Sequence, residues 1–152
     1  ARGIKLKANY FALMFAESLT FSLVLGLVLQ SILRMGGLSS GGPGIGLMQN
    51  IALSVGAGLF EEIIFRVILL NLLFLLLNTL FKKKFVAAVV SVLLASFLFS
   101  LSHYVGTMAD AWQLYSFMFR WAAGLLFTVL YFVRGFAITA YTHALYDIWV
   151  LI

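Results

Sequence analysis

Five acidic side chains serve the whole chain, and four of them, Glu17, Glu61, Glu62 and Asp147, sit inside apolar runs, with Asp110 in a break between runs. His103, His143, Arg66 and Arg120 share the apolar setting. An ionisable group in a bilayer costs about 2.5–3.5 kcal/mol even on insertion scales, so function is its default reading. The densest group is Phe60-Glu61-Glu62-Ile63-Ile64-Phe65-Arg66. On a helix Glu62 and Arg66 are four apart and face one another, a spacing that makes an ion pair. Glu61 points about 100° away from Glu62 and has no cation within local reach, so it is free to face a cavity. Adjacent carboxyls in a low dielectric compete for protons, which suits a general base working near neutral pH. His143 and Asp147 are also four apart and share a helix face, where the carboxylate fixes the imidazole tautomer or holds the ring charged. His103 ends the run Phe99-Ser100-Leu101-Ser102-His103 with no sequential partner. Blander readings stand beside these. Glu62 and Arg66 make a structural clamp, a histidine on an apolar helix is commonly a satisfied core residue, and Phe117, Phe119 and Trp121 face core or lipid. Arg120 has no local partner and is a candidate to pair with a buried carboxyl.

These residues need elements to carry them, and composition says which. Of 152 residues, 64% are hydrophobic and 10% charged, with a mean hydropathy of +1.11. Soluble domains carry about 25% charged residues, so lipid is the solvent this chain expects. A helix needs about 20 apolar residues to cross a hydrocarbon core, and five segments qualify, roughly 9–34, 48–80, 85–104, 113–133 and 136–152. The fold class is therefore all-α, a polytopic transmembrane bundle of about five spans. Residues 1–47 form a first helix and glycine-rich loop (Gly36–Gly44), and 48–152 form the helical core. Breaks fall at Lys82-Lys83-Lys84, at Gly106–Trp112 and at Arg134-Gly135. Ala52, Gly56 and Gly58 offer small surfaces for close helix approach.

Threading the spans alternately sets Arg2, Lys5, Lys7, Lys82, Lys83, Lys84 and Arg134 on one side against Arg34 on the other. The positive-inside rule then places the N-terminus in the cytoplasm. The apolar run after Lys7 has no small-residue exit and reads as a retained span rather than a signal peptide. A start at Ala1 and a stop within an apolar run read as a fragment or processed product. No cysteine is present, which excludes a disulfide framework and a thiol nucleophile. The positive charge clusters between spans, with no basic face for nucleic acid. By helical rise, Glu61 and His103 fall in the non-cytoplasmic half and His143 nearer the cytoplasm, so a common site requires a bent second span or a shifted fifth one.

Taken in order, Glu61-Glu62-x-x-x-Arg66, Phe99-x-x-x-His103 and His143-x-x-x-Asp147 resemble the three motifs of the CAAX protease and bacteriocin-processing (Abi) family, over roughly residues 51–152. The resemblance implies an intramembrane endopeptidase that attacks with water and forms no acyl-enzyme. It assigns water activation to Glu61 and His103, the oxyanion side to His143 and Asp147, and supporting roles to Glu62 and Arg66. Many members carry Asn where this chain has Asp147; an ionised carboxylate cannot donate to an oxyanion, so either Asp147 is protonated by its apolar surroundings or it orients His143 and leaves that ring to donate, and the helix spacing favours orientation. The stretches Gly56–Glu61 and Arg134-Gly135-Phe136 look more like the bacterial branches, which implies the bacterial inner membrane.

The expected substrate is a membrane-embedded or lipidated protein, cut near its terminus, with the bilayer as the other partner and no cofactor. Zinc is the minor rival, since two Glu and two His are available but no His-Glu-x-x-His occurs. A proton-coupled transporter and a non-catalytic immunity or scaffold protein are rivals from other classes. Flux without cleavage marks the first, and indifference to loss of His103 marks the second.

Overall fold

In hydrocarbon no water satisfies backbone N–H and C=O groups, so a chain this apolar resolves into helices. The computed structural model describes residues 8–35, 46–106 and 109–151; the basic start Arg2–Lys7 and the Gly36–Gly44 loop lie outside the described residues. Helix α1 spans Ala8–Met35 and α2 spans Leu47–Glu62. A π-helical segment, Ile63–Leu69, follows and runs directly into α3, Leu70–Phe81. Helix α4 spans Lys84–Ser102 and α5 spans Leu114–Leu151. No strand occurs among the described residues. Among the described residues four elements are long and apolar enough to cross a bilayer: Ala8–Leu29, Leu47–Phe81, Lys84–Ser102 and Leu114–Val150. Their outer faces expose Leu13, Leu27, Leu75 and Val133, as lipid contact allows. The chain is an all-α membrane bundle.

The sequence's fourth and fifth segments are two arms of one element, α5, interrupted at Gly135 with φ 80° and ψ 176°. That positive φ is a backbone state open to glycine and costly for other residues. The rings of Phe127 and His143 stack at 4.4 Å, whereas a straight helix would separate them by about 24 Å. The chain therefore doubles back at Gly135, and the arms pack antiparallel. The second arm leans on α1, where Arg134 pairs with Glu17 and Ser18 Oγ donates to the Ile138 carbonyl. Lys82, left-handed at φ 54°, ends α3 with its amide donating to Asn78 O at 3.1 Å.

Two features place the site. Gly58 on α2 meets the backbone of α5 at Ala144 so closely that an added Cβ would lie 2.6 Å from the Ala144 nitrogen. That contact sets Glu61 and Glu62, one turn on, beside His143. The π-helical segment, whose i→i+5 bonding widens the turn and recurs at functional sites, begins immediately after Glu62. Asn71 Nδ2 donates to the carbonyls of Arg66 and Val67 where that segment gives way to α3.

Candidate active site

His143 is the hub. Its Nδ1 lies 2.8 Å from Glu62 Oε1, and its Nε2 lies 3.7 Å from Glu61 Oε2 and 3.6 Å from Asp147 Oδ2. Three carboxyls from two helices thus converge on one imidazole. Glu62 and the His143 ring are buried, while Glu61 and Asp147 keep 23% and 25% of their side-chain surface, so the Nε2 side is the accessible one. A carboxylate only accepts, so the Nδ1 proton is committed to Glu62 and Nε2 is the atom that gains or loses one.

Glu62 is held from the other side by Arg66, with Nη1 3.1 Å from Oε1 and both side chains buried. Arg66 Nη2 donates to the Gly124 carbonyl at 3.2 Å. The guanidinium sits over Phe99, 4.6 Å from the ring centroid, with Phe127 at 5.8 Å. Phe127 also stacks on His143, and Phe99 turns an edge contact to it at 5.9 Å. The two phenylalanines wall off arginine and imidazole from lipid, which strengthens every charge interaction inside. An uncompensated interior charge costs several kcal/mol. Three carboxyls, one guanidinium and one imidazole in contact therefore behave as a single proton-sharing unit.

His103 caps α4 a short way off. Its Nδ1 lies 3.0 Å from the Phe99 carbonyl, an acceptor, so the proton is on Nδ1 and Nε2 carries the free lone pair. Its ring meets Phe99 edge-on at 5.1 Å. Burial, and next the positive charge of Arg120, hold its pKa below the ordinary 6.5. Among the described residues no hydrogen bond or ion pair joins His103 to Glu61. Nor do three His, Cys, Asp or Glu side chains there form a group arranged for a metal ion.

The three sequence motifs thus come together around Phe99 and His143, despite the difference in depth that helical rise predicts. Tilt is the reason. From Phe117 to Gly124 is about 10 Å along α5, yet their partners on α4 shift only from Ser100 to Ser96, about 6 Å. The arm crosses α4 obliquely, and rise along the chain overstates depth. Arg120 pairs with the loop acid Asp110 rather than with a buried carboxyl. Phe127 and the Gly124 carbonyl were missed by sequence reasoning, because neither residue carries a signal apart from the fold. Phe99 had one, its fixed offset from His103.

The family model described as Rce1-like, type II CAAX prenyl endopeptidase Rce1-like, matches residues 43–149 of this chain. No curated protein and no solved structure matches it.

Proposed function

We propose, from the premise that this chain belongs to the Rce1-like family of type II CAAX prenyl endopeptidases, that it is an integral membrane peptidase cutting a membrane-bound or lipidated protein near its terminus by direct attack of water. The observation that carries this is the convergence of Glu61, Glu62 and Asp147 on His143 inside apolar helices. Groups this costly to bury need a chemical return.

In the proposed reaction Glu61, an accessible carboxylate, takes a proton from water together with the bare Nε2 of His103, and the water oxygen adds to the scissile carbonyl. The oxyanion is met by His143 from Nε2 when the ring carries both protons, its Nδ1–H still donating to Glu62. Asp147 flanks Nε2 and orients the ring, consistent with its spacing one helical turn on. Glu62 and Arg66 support the histidine and touch no substrate. Collapse of the tetrahedral intermediate passes the proton to the leaving amine, so the enzyme is never acylated. Donors fixed in a water-poor site are worth about 2.7–4 kcal/mol each when aimed at an oxyanion.

An apolar groove of about 220 Å³, lined by Val55, Leu59, Phe136, Ala140, Tyr141 and Ala144, runs between α2 and the second arm of α5, with Ala144, the chain neighbour of His143, in its wall. It suits the apolar part of such a substrate. The basic residues Lys82, Lys83, Lys84 and Arg134 support a cytoplasmic α3–α4 turn by the positive-inside rule, and the proposed location is the bacterial inner membrane. The decisive experiment is Glu61→Gln. Cleavage of membrane protein termini, read by mass spectrometry, is lost while thermal unfolding is unchanged; full activity in that variant refutes the assignment.

A further inference from the structure

The mechanism leaves one ionisable side chain at the site without a task. Arg120 lies on α5 one turn before Gly124, the residue whose carbonyl holds Arg66. Its Nη2 donates to Asp110 Oδ2, and its guanidinium lies 5.3 Å from the Tyr104 ring centroid. Tyr104 is itself in edge contact with Trp112. The charge of Arg120 bears on both Glu61 and His103. Its Nη1 is sealed from solvent and finds no acceptor among the described residues.

Two details separate this arrangement from a plain structural latch. The loop after α4 is already closed by backbone, since the Asp110 amide donates to the His103 carbonyl at 2.9 Å. The side-chain pair is not needed to hold it. Asp110 is also 55% exposed, against 25% for Arg120, so the acid is the partner that leaves easily. What remains is a planar guanidinium with a spare donor edge, a fork whose geometry matches the two oxygens of a carboxylate, as it does those of a phosphate.

We propose that Arg120 is a specificity-determining residue that receives the free α-carboxylate at the substrate's C-terminus, with Asp110 occupying that place until the substrate arrives. This rests on the peptidase reading above and sharpens it, because it says which terminus is read and by what. A bond cut a few residues from the chain end lies only about 3.3–3.6 Å per residue from that carboxylate, so one arginine held on Tyr104, the chain neighbour of His103, sets both register and direction.

The test measures binding apart from cleavage. Paired lipidated peptides of one sequence, one ending in a free acid and one in an amide, are titrated against the Glu61→Gln protein in phosphatidylcholine nanodiscs. The acid binds about tenfold tighter or more, the worth of one charge-assisted hydrogen bond. Adding Arg120→Gln brings the ratio to about one, whereas adding Asp110→Asn keeps or raises it, because the competing carboxylate is gone. A merely structural ion pair makes the two variants fail alike, and that result overturns the proposal, as does equal affinity for acid and amide before either change. Should Arg120→Gln not fold, the acid-to-amide ratio and the direction of the Asp110→Asn effect still decide. Cleavage by the unmodified protein is read separately. Failure to cut either peptide sinks the peptidase reading alone, and cutting both at equal affinity sinks the carboxylate site alone.

Discussion

Gly58→Ala tests whether the site depends on helix approach. An added Cβ would stand 2.6 Å from the Ala144 nitrogen and 2.9 Å from its Cα and Cβ, where ordinary contact begins at 3.4 Å. The obstacle is backbone, so no side chain can rotate away. Helix α2 and the second arm of α5 must separate by about 0.8 Å, the difference between 3.4 and 2.6 Å. Ala144 adjoins His143, and Gly58 is one turn from Glu62. A similar displacement carries the 2.8 Å contact between His143 Nδ1 and Glu62 Oε1 to about 3.6 Å, beyond a hydrogen bond. Overpacking of this kind costs about 1–3 kcal/mol of stability. A misplacement near 1 Å in a catalytic constellation costs about 10²-fold in rate. The matching control is Gly56→Ala, two residues away on the same helix, where an added Cβ meets nothing within 4 Å; there alanine gains helix propensity, about 0.8–1 kcal/mol. Both variants are assayed in nanodiscs for peptide hydrolysis and for thermal unfolding. The expected result is about a hundredfold loss of kcat in Gly58→Ala with a modest loss of stability, and wild-type rates in Gly56→Ala. Wild-type activity in Gly58→Ala refutes the placement of the site at this helix contact.

Two further outcomes follow from the same geometry. Burial and the neighbouring Arg120 charge lower the His103 pKa, against smaller opposing effects of the Phe99 carbonyl and Asp110, so its base form persists as pH falls through 6.5. The acidic limb of kcat/KM assigned to His103 therefore lies below 6.5, and a limb that disappears in the His103→Gln variant but sits above that value contradicts the assignment. Arg66→Met removes the cation from a fully buried pair and leaves Glu62 facing His143 alone. Breaking such a pair costs about 3–5 kcal/mol, seen as a large drop in unfolding temperature, and Arg66→Lys does not restore it, since a point charge cannot span Glu62 and the Gly124 carbonyl between two rings.

What the sequence made legible was whatever is local along the helix or enforced by lipid. Long apolar runs broken by Lys82–Lys84 and by Arg134-Gly135 delimit helices, because a bilayer admits little else. The Glu62–Arg66 and His143–Asp147 proximities follow from i,i+4 geometry alone. The direction of the chain at Gly135 was not legible. Arg134-Gly135 marks a break, but only the stacking of Phe127 on His143 shows that α5 reverses there. The contact of His143 with Glu62 was equally hidden, since it joins residues 81 positions apart through the missing Cβ of Gly58. The π-helical segment has no compositional mark, although it begins at the one place where both glutamates must be presented. Arg120 shows the limit from the other side. A cation in an apolar span that also carries carboxyls suggests one of them as its partner, yet all three around His143 are already occupied with the histidine or Arg66. Exclusion from that cluster turns Arg120 toward Asp110, a partner at the surface. A cation so held remains available, and that is why the exchangeable position at this site is Asp110 rather than Glu62.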